Sequence, residues 1–209
     1  MPRNVTPKDA MKKKVSYAEP GKTAVYSHRG RMFPQNVILV GARGSGKTTL
    51  GMRVAGLLGK AFVDTDMVVE AEAGKPIADI VAEGGWEAFR ALEAEAVVRL
   101  CGDENRFIAT GGGAVLDEAS RKAMKDGGLV FYLKADADTL LARLAADPGH
   151  DQRPALTDKA PGDEMRDVLA ERGPLYEEVA DHVLDAVATP QELTVRMLDA
   201  LRAWATEQQ

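Results

Sequence analysis

The chain has 209 residues with 45% hydrophobic content, enough for one sizeable core, and a formal net charge of −5. No apolar run nears the roughly 18 residues that a membrane span needs, no signal peptide is visible at Met1, and the single cysteine, Cys101, has no partner for an internal disulfide. A cytoplasmic enzyme is the expectation, with Cys101 a buried thiol in an apolar helical pattern.

Residues 1–35 stand apart. They hold eight Lys/Arg and two acids, near +6, which leaves the remainder near −11. Pro2, Pro7, Pro20 and Pro34 discourage regular structure, so a flexible basic extension is expected ahead of a folded domain over 36–209. A basic arm could touch an acidic partner, but the acidic main domain argues against nucleic acid as the main ligand. No internal repeat or low-complexity segment is present.

Val37-Ile38-Leu39-Val40 is a short β-branched run, predicted as a buried strand. It leads into Gly41-Ala42-Arg43-Gly44-Ser45-Gly46-Lys47-Thr48, which fits the phosphate-loop pattern at every fixed position. Thr48–Leu58 then reads as a helix with Leu50, Val54, Leu57 and Leu58 on one face. Strand, glycine loop and helix N-terminus make an anion site: backbone N–H groups converge on phosphate and the helix dipole adds positive potential. Lys47 would reach the β- and γ-phosphates, and the Thr48 hydroxyl would ligate Mg²⁺.

Lys60–Asp66 is a short strand ending in two acids, Asp64 and Asp66. Spaced two apart, both could face one crevice, or they could simply cap the next helix. Helical stretches follow over Met67–Ala73 and Pro76–Glu83, then Trp86–Cys101 after an interruption at Gly84-Gly85. Arg106–Thr110 is a strand running into Gly111-Gly112-Gly113. Asp117–Lys125 is helical, Leu129–Leu133 a strand, and Ala137–Ala146 a helix with Asp136 as its N-cap candidate. Residues 147–160 form a surface loop. Glu164–Ala180 is helical with a kink expected at Gly173-Pro174, His182–Asp185 is the last strand and Pro190–Glu207 the closing helix. Strands alternating with helices imply a three-layer α/β/α architecture around a parallel sheet. Ligands of such sheets sit at the carboxyl ends of the strands, which puts the phosphate loop, Asp64/Asp66 and the triple glycine in one crevice.

Beyond the phosphate loop, Phe62-Val63-Asp64-Thr65-Asp66, Phe89-Arg90 with Glu93, Thr110–Gly113, Arg153-Pro154 with Leu156, and Arg172 with Pro174-Leu175-Tyr176 occur in one order and spacing. This set resembles the shikimate kinases over roughly residues 36–205. The resemblance implies a P-loop NTPase of the nucleoside-monophosphate-kinase-like fold with a five-stranded parallel sheet, a substrate-binding helical segment over about 67–101 and a mobile lid over about 147–160. It implies transfer of the γ-phosphoryl of ATP to the 3-hydroxyl of shikimate, with Mg²⁺ as cofactor. Lys47, Asp66 and Arg153 match the catalytic positions, and Gly44, Ser45, Gly46, Lys47, Thr48, Thr49, Arg143 and Arg153 the nucleotide site.

Arg90 and Arg172 match a clamp on the substrate carboxylate, to which a planar guanidinium is suited; alternatively each forms a surface ion pair. Gly112 and Gly113 would bring backbone N–H groups to the substrate, or merely form a tight turn. Asp66 would accept hydrogen bonds from ring hydroxyls, and Asp64 would support Mg²⁺ through water. Glu93, three residues past Arg90, would position it. Tyr176 and Trp86 are expected as packing groups, Trp86 at the pocket's edge, and none of the three histidines is expected to be catalytic. ATP and shikimate are the implied partners, with no membrane, and a monomer is expected. The alternatives are another small-molecule kinase, such as a gluconate kinase, and a non-catalytic kinase-like sensor; the Arg90, Gly112-Gly113 and Arg172 set argues against the first, and the intact Lys47, Asp66 and Arg153 against the second.

Overall fold

Val37, Ile38, Leu39 and Val40 are at most 3% exposed, and a strand buried at successive residues must be covered on both faces. The computed structural model describes residues 36–146, 156–157 and 159–207. The basic extension and most of the segment expected as a lid, including Arg153, lie outside them. In chain order the elements are β1 (Asn36–Val40), α1 (Lys47–Leu58), β2 (Ala61–Asp64), α2 (Thr65–Ala73), α3 (Ile77–Cys101), β3 (Arg106–Ala109), α4 (Glu118–Gly127), β4 (Gly128–Lys134), α5 (Ala137–Ala145), α6 (Pro161–Val179), β5 (His182–Asp185) and α7 (Pro190–Glu207). A 3₁₀ turn, Ala114–Leu116, follows the triple glycine.

The five strands form one parallel sheet in the order β2-β3-β1-β4-β5. β1 lies at its centre, with Val37 opposite Phe107 on one side and Leu129 on the other. Parallel neighbours require crossovers, and the helices supply them. At the amino-terminal edge the buried Asn36 side chain ties three elements together. Its Nδ2 donates to the carbonyls of Asp103 (2.5 Å) and Gly127 (3.1 Å), and its Oδ1 accepts from Arg106 N (3.0 Å). The carboxyl edge is left for the loops that carry chemistry.

The helix boundaries follow local chemistry. Asp136 caps α5 as expected, accepting from Thr139 N at 2.8 Å. Gly85 (φ 71°, ψ 177°) breaks α3 where the glycine pair predicts an interruption. α6 starts three residues earlier than the expected Glu164, because Pro161 serves as a first-turn residue. It also runs through Gly173-Pro174 as one element. The α2–α3 segment has a small core of its own, formed by Val69, Ile77, Ile80, Phe89 and Ala96. Cys101 is buried and its thiol is pushed up to about 12 by burial, which removes it as a nucleophile near neutrality. Among the described residues, no helix is long and apolar enough to cross a membrane.

Candidate active site

β1 ends at Val40, and the chain turns into α1 through the phosphate loop. Ser45 N donates to Ala42 O at 3.2 Å, so Ala42–Ser45 makes a tight turn. Gly46 (φ 92°) then starts the helix. The Lys47 side chain folds back along the loop and is 9% exposed; Nζ donates to the carbonyls of Gly41 (2.8 Å) and Ala42 (2.9 Å). A fixed positive charge therefore sits inside a loop that already directs N–H groups outward at a helix N-terminus. The loop opens on a cleft of about 630 Å³, which Gly44, Ser45, Gly46, Lys47, Thr48, Thr49, Asp64 and Asp66 line. Its far wall holds Arg143, Ala188 and Pro190. Arg143 Nη2 donates to Ala186 O at 2.6 Å, which joins the end of α5 to the turn after β5.

Asp64 and Asp66 both line the phosphate cleft, but not from one face of an extended strand, as the spacing suggests. β2 ends at Asp64, whose Oδ1 accepts from Asp66 N (3.0 Å) and caps α2, while Asp66 lies in that helix's first turn. The capping alternative is thus correct for Asp64, but the same carboxylate also accepts from Thr48 Oγ1 at 2.8 Å through Oδ2. Two hard oxygen donors stand side by side at the phosphate cleft, which is the donor chemistry Mg²⁺ takes.

A second cleft of about 300 Å³ adjoins the first. Asp66, Arg90, Gly112, Gly113 and Arg172 line it with Trp86, Phe89 and Glu93 from α3, and Met165 and Val168 from α6. Arg90 lies against the rings of Trp86 and Phe89, 5.3 and 5.2 Å from their centroids, and makes an ion pair with Glu93. It is not a surface pair: Glu93 is 1% exposed. Burial raises the Glu93 pKa above its ordinary value; Arg90 opposes that rise, and the neighbouring Asp66 adds to it. Arg172, also buried, donates to Gly112 O at 3.3 Å. The hydroxyl of Tyr176 donates to the same carbonyl at 2.5 Å, and its ring stacks on Tyr132 with centroids 5.1 Å apart.

Two of the three glycines, Gly111 and Gly113, are there because their neighbours need the space. A Cβ on Gly113 would collide with the Arg90 guanidinium, and one on Gly111 would run into the Glu93 carboxylate and come within 2.6 Å of Asp66 Oδ1. Gly111 N also donates to the buried Thr65 Oγ1 at 2.9 Å.

The family model for shikimate kinase matches residues 43–202. The chain belongs to the shikimate kinase family. It is 47% identical over 167 residues to shikimate kinase 2 of Yersinia enterocolitica, covering 80% of this chain and 95% of that one. Among solved structures it is similar to shikimate kinase from Acinetobacter baumannii in complex with shikimate, with a TM-score of 0.77 and 32% identity over 82% of this chain and 94% of that one. It is also similar to the shikimate kinase of Bacteroides thetaiotaomicron, with a TM-score of 0.73 and 29% identity over 80% and 98%. This is therefore an ATP-dependent shikimate kinase, and the gluconate-kinase and sensor readings fall away.

As a shikimate kinase the chain gathers every predicted site residue except Arg153 into these two clefts. Four residues line both: Arg43, Asp66, Gly112 and Leu144. Sequence reasoning missed three contributors. Gly111 had a signal, being the first of three glycines. Tyr176 had one in its hydroxyl, which a buried tyrosine must satisfy. Arg43 had none, because its place in the motif accepts any residue.

Proposed function

We propose that ATP occupies the larger cleft, with its phosphates on Gly44–Thr49 and its base toward Arg143 and Pro190, and that shikimate occupies the smaller one. The observation that carries this reading is the shared wall. Two arginines suited to a carboxylate and an acid suited to hydroxyls line a small cleft that meets the phosphate loop at Asp66 and Gly112.

Arg90 and Arg172 clamp the substrate carboxylate from two elements, α3 and α6. Glu93 fixes the orientation of Arg90, and Tyr176 with Arg172 pins the Gly112 carbonyl, leaving the Gly112 and Gly113 N–H groups toward the ring. Asp66 orients the 3-hydroxyl and takes its proton. The hydroxyl oxygen bonds to the γ-phosphorus as the bridging P–O bond breaks, and ADP leaves with that bond's electrons. Lys47 supplies positive charge on the donor side. Arg153, which lies outside the described residues and which the resemblance gives as the arginine supplied in cis, would complete the charge around the phosphoryl group.

Thr48 and, through water, Asp64 would hold Mg²⁺, and the ion would supply positive charge that neutralises the phosphates. Positioning and electrostatics then account for the reaction, without a covalent enzyme intermediate. An ADP-release assay across shikimate and a panel of sugar acids and hydroxy acids tests the assignment. Shikimate should exceed every other acceptor in kcat/KM by about a hundredfold or more; a sugar acid turned over as well as shikimate would refute it.

A further inference from the structure

We infer that Arg43 is a further catalytic residue of this enzyme, a cation that stays with the phosphoryl group as it crosses from the ATP cleft to the shikimate cleft and then holds it on the product. The inference rests on the assignment of the two clefts made above. The motif asks nothing of position 43, so phosphate binding alone does not explain a cation there.

Its place in the fold does. Arg43 and Gly44 are the two corner residues of the turn closed by Ser45 N and Ala42 O. The half-buried Arg43 thereby stands at the rim of the loop and lines both clefts. The substrate loop comes up against it: a Cβ on Gly112 would sit 3.4 Å from Arg43 N, an ordinary contact. The charges sort by cleft. Lys47 lines only the donor cleft, and Arg90 and Arg172 only the acceptor cleft. Among the described residues, Asp66 is the anion and Arg43 the cation that line both.

Transfer moves charge across that shared wall. The bridging P–O bond to ADP breaks, the bond to the acceptor oxygen forms, and the acceptor's proton passes to Asp66. A guanidinium at the wall can donate two parallel hydrogen bonds to the equatorial oxygens once the phosphoryl group reaches the wall in the transition state, and afterwards to the phosphate of shikimate 3-phosphate. It therefore favours transition state and product over substrate, the differential binding that raises kcat.

The test compares Arg43→Leu and Arg43→Lys with wild type in the full chain. It uses steady-state kinetics and calorimetric affinities for ATP, shikimate and shikimate 3-phosphate, with thermal melting to establish folding. In Arg43→Leu, kcat should fall about a hundredfold. The Kd of shikimate 3-phosphate should rise about tenfold or more, while those of shikimate and ATP stay within about threefold. Arg43→Lys keeps the charge without the fork and should recover part of the product affinity; it carries the same comparison should the leucine variant not fold. Unchanged kcat overturns the inference. So does equal weakening of shikimate and shikimate 3-phosphate, which would make Arg43 a carboxylate ligand. Arg90→Ala separates the two levels: unchanged shikimate affinity in that variant means the cleft assignment itself has failed.

Discussion

The guanidinium of Arg90 fills the space that a side chain on Gly113 would need. One residue is glycine so that the other can sit between an aromatic pair and a loop. Gly113→Ala should fold, because the atoms in the way are the far end of a flexible side chain, but Arg90 must leave its place. KM for shikimate should rise about tenfold with KM for ATP unchanged. Gly111→Ala should behave differently: its Cβ meets the buried Glu93 carboxylate, so it should lower the melting temperature as well. Steady-state kinetics with thermal melting of both variants checks the contrast. A Gly113→Ala enzyme with wild-type shikimate KM would show that Arg90 does not bind substrate from this position.

Glu93 predicts a pH dependence whose sign can be worked out. Its carboxyl, buried beside Asp66, titrates above the ordinary 4.5 in the folded chain. Below 4.5 both states are protonated and the group costs nothing. As pH rises past 4.5 the unfolded chain releases the proton first, so folding loses stability up to the raised value. Glu93→Gln has no proton to release. Its melting temperature relative to wild type should therefore climb as pH is raised from 4.5 toward neutrality, while its KM for shikimate rises because Arg90 loses its ion pair. A difference in melting temperature that is flat across that range would mean that burial does not raise the Glu93 carboxyl above its ordinary value.

Much of this was legible in the sequence, and the gaps have physical causes. The phosphate loop is a local structure whose spacing encodes its geometry, so Gly41–Thr48 could be assigned directly. Apolar runs gave the five strands, but their order depends on which helices cover which face, and local pattern carries no trace of that. Asp64 and Asp66 show the limit most clearly. The period of two holds only while the chain stays extended, and Asp64 ends the strand by capping α2. Gly111 and Gly113 were visible as glycines, yet what they make room for comes from Glu93 and Arg90 on α3. Arg43 was invisible because its meaning lies in the meeting of two clefts.

Asp64 has two tasks that one substitution separates. It caps α2 through Oδ1 and accepts from Thr48 through Oδ2. Asparagine caps about as well as aspartate, but its amide lacks the charge that supports a divalent ion. Asp64→Asn should melt within about 2 °C of wild type and need several-fold more Mg²⁺ for half-maximal rate, about fivefold by the loss of one charge-assisted contact. Titration of activity against Mg²⁺ at fixed ATP provides the measurement. An unaltered requirement would leave Asp64 as a helix cap alone.

The clamp and the base should fail in different ways. Arg90 and Arg172 bind a group remote from the chemistry, so each loss to alanine should weaken shikimate binding by about ten- to a hundredfold and leave ATP binding nearly unchanged. Asp66 touches the hydroxyl that attacks, so Asp66→Asn should lower kcat more than it weakens binding. Arg172→Ala carries an additional structural cost, since Arg172 is buried and shares the Gly112 carbonyl with Tyr176. Its melting temperature should drop while that of Arg90→Ala holds, because Arg90 is the more exposed of the two, at 24% against 10% of the side chain. The methyl ester of shikimate isolates the electrostatic part. It keeps the ring and hydroxyls but has no carboxylate charge, so wild type should use it poorly, and the arginine variants should lose little further. Equal turnover of acid and ester by wild type would mean that neither arginine reads the carboxylate.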